Sequence, residues 1–88
     1  MNKNRRKELM EWVKKADAWI TQGEELKNKL ERICSDEQDY FDNMPENLQG
    51  SMRGMDAEEA IDAMNEAIES MDNAIEAAEE AASCLEDV

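Results

Sequence analysis

The chain reads first as two long runs of helical periodicity separated by a short polar break. From Asn4 to Asp42 the apolar positions are Leu9, Trp12, Val13, Ala16, Trp19, Ile20, Leu26, Leu30, Ile33, Tyr40 and Phe41. Trp12, Trp19, Leu26, Ile33 and Tyr40 stand seven apart, with Val13, Ile20, Cys34 and Phe41 beside them. The spacing predicts one helix over about 4–42 with a broad apolar face centred on that row. Gly23 lies inside it, where glycine costs about 1 kcal/mol relative to alanine. It marks either a close helix approach or a weak point. Pro45 disfavours helical geometry at Met44 and ends the run.

The second run predicts a helix over about 56–86, capped by Asp56 with Glu59 three residues on. Ile61, Met64, Ile68, Met71, Ile75, Ala78, Ala82 and Leu85 alternate spacings of three and four, the seam of a coiled coil. Ala60, Ala67, Ala74 and Ala81 form a row of small residues alongside, with Ala63 and Ala77 flanking the other side of the seam. Asp62, Glu66, Glu69, Asp72, Glu76 and Glu80 make the remaining face acidic.

Residues 43–55 connect the two runs. Asn43 and Glu46 have capping-box spacing around Pro45, which predicts a short helical turn through Gln49. Gly50 and Gly54 then bracket a bend, and Met44, Leu48, Met52 and Met55 form an apolar plug for the end of the bundle. Folding the chain back across this connector makes opposing residue numbers sum to about 100. Trp19 then lies over Ala78, Ala81 and Ala82, Leu26 meets Ile75, and Ile33 meets Ile68. The basic start (Arg5, Arg6, Lys7, Lys14, Lys15) falls beside Glu76, Glu79, Glu80 and Glu86. The expected fold is therefore all-α: a single domain over 1–88, an antiparallel coiled-coil-like hairpin. Its spare small-residue face (Ala60, Ala67, Ala74, Ala81) predicts a homodimeric four-helix bundle.

Composition sharpens this picture. Charged residues make up 38% of the 88 residues, with only one proline and three glycines, which favours long helices. Residues 1–35 carry nine Lys/Arg and six Asp/Glu, or +3. Residues 36–88 carry Arg53 alone against seventeen acids, or −16, which completes the net −13. A field of that sign repels nucleic acid and anionic membranes, so the expected partner is a basic protein surface. The plainer alternative is that the acid only keeps the chain dissolved. No window holds the roughly 20 apolar residues of a membrane span, and no apolar leader core follows the basic start. These features predict a soluble, cytoplasmic protein.

Catalytic chemistry finds no foothold. The chain has no histidine, hence neither the commonest general base nor the usual di-iron bundle ligands. The run DEQDYFDNMPE lacks the residue order of a calcium loop. No cofactor or metal is expected. Cys34 and Cys84 lie roughly 27 Å apart along the predicted hairpin, far beyond disulfide reach. Both read as reduced, small apolar side chains.

RRKEL, DYFDNMPENLQGS and the alanine-rich acidic heptads together resemble a group of small acidic helical-hairpin proteins encoded by bacteriophages and prophages. The likeness spans nearly the whole chain, most specifically residues 40–51. It implies a phage accessory protein that disarms a host or defence protein in the host cytoplasm, and it implies no catalytic residues. Two functions follow. In the first, Asp62, Glu66, Glu69, Asp72, Glu76 and Glu80 bind a basic host surface as a DNA mimic would. In the alternative, Tyr40, Phe41, Asn43, Asn47 and Arg53 of the connector sequester a small nucleotide signal by stacking and phosphate contacts. A purely structural bundle protein is a third reading.

Overall fold

Asn2 starts the first helix. Its side-chain oxygen accepts a hydrogen bond from the Arg5 backbone N–H at 2.8 Å, which satisfies one of the orphan donors of the first turn. The computed structural model describes residues 1–88 and has three helices: α1 (Lys3–Asp42), α2 (Glu46–Gln49) and α3 (Met52–Leu85). α3 folds back along α1 to give a rod of 68 × 15 × 14 Å. The antiparallel hairpin is as the periodicity predicts.

The register also holds. Gly23 lies against Ile75, Lys27 bonds Asp72, and Cys34 Sγ lies 3.5 Å from Asn65 Oδ1; each pair of residue numbers sums to 98 or 99. On α3 the less exposed positions run Gly54, Ala57, Ile61, Met64, Ile68, Met71, Ile75, Ala78, Ala82 and Leu85, the predicted seam extended by one heptad. On α1 the seam is displaced by one position from the expected centre. It runs Leu9, Val13, Ala16, Ile20, Gly23, Lys27, Leu30, Cys34, Glu37 and Phe41. The bulky row stands outside it: Trp12 is 47% exposed, Trp19 51%, Leu26 62%, Ile33 44% and Tyr40 49%.

The displacement has a steric cause. Two helices meeting alone approach closely when the seam carries small side chains, and Ala16, Gly23, Ala57 and Ala82 supply them. A Cβ placed on Gly23 would stand 3.3 Å from Ile75 Cγ1, so this glycine is a close-approach site rather than a weak point. Leu26 therefore does not hold Ile75, and Ile33 remains half exposed. Only eight residues are buried, and no large side chain is completely enclosed.

The connector departs from its sequence reading in three ways. Pro45, without a side-chain cap, precedes α2, and backbone bonds close α1 instead: Asn43 N–H donates to the Asp39 carbonyl and Met44 N–H to the Phe41 carbonyl. Ser51 rather than Asp56 caps α3; its hydroxyl accepts from Gly54 N at 3.4 Å and donates to the Leu48 carbonyl. A hydroxyl five residues earlier captures the Gly54 N–H of the first turn, which leaves Asp56 inside the helix. Gly54 is thus a helical residue, buried where a Cβ would stand 2.0 Å from the Gln49 carbonyl oxygen. The methionine plug does not form either: Met52 and Met55 are exposed, as is Leu48, and only Met44 is half buried. Gln49 ties the tip instead, its Nε2 donating to the carbonyls of Phe41 and Met44 at 3.3 Å each.

Candidate interaction faces

A two-helix rod has two long sides, and heptad spacing assigns each residue to one of them. Residues one position before the first residue of each seam pair lie on one side: Trp12, Trp19, Leu26, Ile33 and Tyr40 on α1, and Arg53, Ala60, Ala67, Ala74 and Ala81 on α3. In an antiparallel pair these two rows face each other. Trp19 stands opposite Ala81, Leu26 opposite Ala74, Ile33 opposite Ala67 and Tyr40 opposite Ala60. Shallow clefts at both ends of the row belong to this side. Trp12, Lys15, Ala16, Trp19, Ala78 and Ala81 line one of about 370 Å³. Tyr40, Met44, Leu48, Met52 and Arg53 line the other, of about 460 Å³.

The small surface of α3 widens on this same side. Ala63, Ser70, Ala77 and Cys84 adjoin the alanine row, because at 100° per residue their direction falls next to it. Ala63 and Ala77 accordingly do not flank the far side of the seam. From Ala60 to Cys84 these two rows contain no acid. All four predicted interface alanines, Ala60, Ala67, Ala74 and Ala81, are exposed in the hairpin. Sequence reasoning placed them on a spare face but missed that the large row of α1 shares it. The interval of seven carries the signal, but the most hydrophobic row of α1 is not the row that packs on α3.

The opposite side is acidic. Asp62, Glu66, Glu69, Asp72, Glu76 and Glu80 are all exposed. Asp72 and Glu76 line a groove of about 580 Å³ with Glu24, Lys27, Asn28, Ile75 and Glu79. Lys27 is the cation that forms ion pairs on this side. Its Nζ donates to Asp72 Oδ1 at 2.7 Å and lies 3.8 Å from Glu31. The Asp72 hydrogen bond raises the Lys27 pKa above the ordinary lysine value; burial opposes it, and the charges of Asp72, Glu31 and Glu24 add to the rise. Arg5, Arg6, Lys7, Lys14 and Lys15 form no ion pair with the acids of α3. Their predicted neighbourhood is a matter of long-range field only.

The connector does not assemble its five predicted ligand residues. Tyr40 and Arg53 share the tip cleft. Phe41 turns half buried toward the seam, Asn43 serves as the α1 cap, and Asn47 is exposed on α2. Both cysteines are free, Cys34 buried and Cys84 exposed, so only Cys34 acts as a small core residue. No group of three or more Cys, Asp or Glu converges as a metal site. No helix is long and apolar enough to cross a membrane. Comparison of the chain with protein-family models, with curated proteins and with solved structures finds no match.

Proposed function

We propose that this protein is a non-enzymatic interaction module that presents the acidic side of its hairpin to a basic protein surface, as a phage accessory protein inhibiting a host or defence protein. The observation that supports this function is the segregation of charge. The acids of α3 beyond Asp56 all lie off the alanine face, and seven of them form an exposed run from Asp62 to Glu80. A rod with acids at regular intervals along one side carries the charge pattern of a nucleic-acid backbone, so a nucleic-acid-binding protein is the class of target it suits. The module acts as a homodimeric four-helix bundle, with acid outward on both copies.

Affinity capture from a bacterial host lysate, followed by a salt titration of the captured complex, tests this function. Glu66→Lys/Glu69→Lys/Glu76→Lys is the informative variant, because it spares Asp72 and its bond to Lys27. Binding of a basic protein that weakens with salt and vanishes in this variant, at unchanged helix content, is the expected result. Capture that survives the reversal returns the acid to a solvating role. Tyr40 and Arg53 at the tip cleft favour the nucleotide-sequestering alternative to a lesser degree. Calorimetry with cyclic and linear nucleotides against wild type and Arg53→Ala separates the two.

A further inference from the structure

The apolar side of the hairpin is the largest feature that the acidic function leaves unused. Trp12 to Tyr40 span 28 residues, about 42 Å of helix, and two helices side by side are about 20 Å wide. The product is roughly 800 Å², the area per partner of a standard stable interface, with the polar outer row of α1 (Lys15, Gln22, Lys29) as its rim. We infer that a second copy of this chain covers this face, with the two-fold axis parallel to the rod, so that the bulky row of each α1 lies on the alanine row of the other copy's α3. This deepens the dimer proposed above by assigning its face, its axis and its anchoring residues.

Three observations select this occupant and this axis. The face is half large and half small, with Trp19, Leu26, Ile33 and Tyr40 each opposite an alanine of the same copy. A two-fold along the rod exchanges the halves and sets large on small throughout, which keeps the layer at constant thickness. A perpendicular two-fold would set the bulky row on itself in reverse, Leu26 on Leu26 and Trp19 on Ile33, and alanine against alanine, forcing a wedge. Charge favours this face as the covered one. The net −13 of each copy opposes association, but joining these faces turns both acidic sides outward. They are then about 20 Å apart, beyond the screening length of about 8–10 Å. Finally, each basic start comes to lie between two acidic α3 ends, its own and the partner's.

Sedimentation velocity from low to high micromolar concentration tests the association, and electron spin resonance distances test the axis. The chain is 10.1 kDa, so twice that mass is expected; a single-chain mass at every concentration and at high salt overturns the inference. Leu26→Lys/Ile33→Lys, at two exposed positions, should weaken the dimer roughly a hundredfold although it lowers the net negative charge. Glu66→Gln/Glu69→Gln on the acidic side should leave the dimer intact, and an opposite ranking of the two variants would also overturn it. For the axis, a nitroxide at Asn47→Cys in a Cys84→Ser background should report tips within about 25 Å, two helix widths. A separation approaching the 68 Å length of the rod would contradict the parallel arrangement. A monomeric mass with the acidic reversal still abolishing capture would reject the dimer and keep the acidic side as the partner-binding surface.

Discussion

Three glycines show how differently one residue type can be used in a single hairpin. Gly54 has no room for a Cβ, since Gln49 backbone atoms fill the space, so Gly54→Ala should destabilise by at least about 1–3 kcal/mol. Gly50 has open space around it and an ordinary φ of −85°, and Gly50→Ala should stabilise by about 0.4–1 kcal/mol through the unfolded chain. Gly23 lies between these cases. The neighbouring Ile75 must move by a few tenths of an ångström, which a core open at both sides allows. Gly23→Ala should therefore gain part of the roughly 1 kcal/mol helix-propensity difference, and Gly23→Leu should overpack. Thermal melting of the four variants checks the set; a stable Gly54→Ala would mean that the tip is built otherwise.

Lys27 is the other informative residue, a cation at a seam position that apolar side chains usually fill. A polar seam residue with one partner across the interface fixes register at some cost in stability. Its folded pKa is raised, so the bond to Asp72 contributes fully below the ordinary lysine value of about 10.4 and is lost as pH climbs through the higher folded value. Alkaline titration of stability should show this loss in wild type and not in Lys27→Met. Equal alkaline slopes in the two proteins would remove Lys27 from the stabilising set.

At the scale of the helix, α3 is legible in the sequence because its seam is also its most hydrophobic row. Ile61, Ile68 and Ile75 leave no competing face, and the acids mark the far side. α1 is less legible for a physical reason: its most hydrophobic row is not the row that packs on α3. Close approach favours Ala16 and Gly23 in the seam and sends Trp12, Trp19 and Leu26 to the rim, so hydrophobicity alone points one position away. The connector is the least legible part. Gln49 and Ser51 hold it with side-chain bonds to carbonyls, and the sequence pattern offered a capping box and a methionine plug in their place. The α3 seam itself gives a sharp expectation. Ala82 is buried, so leucine at Ala78 and Ala82 together should destabilise by about 1–3 kcal/mol per site. A double variant that melts at or above the wild-type temperature would mean the helices are farther apart than the register requires.

At the scale of the whole molecule, the hairpin is two-sided: acid on one flank, large and small apolar rows on the other. Its net charge of −13 with ten cations against twenty-three acids makes self-repulsion general. Added salt should accordingly raise thermal stability and tighten association while it weakens any complex with a basic partner. Both tryptophans, Trp12 and Trp19, lie on the apolar flank, half exposed in a single hairpin. Their accessibility to acrylamide reports directly whether that flank is covered, and a neutral quencher avoids the repulsion an anion would meet. Quenching should be weak at high protein concentration and should strengthen on dilution through the dissociation range. Strong quenching that is the same at every concentration would leave the flank bare and contradict the two-sided assembly.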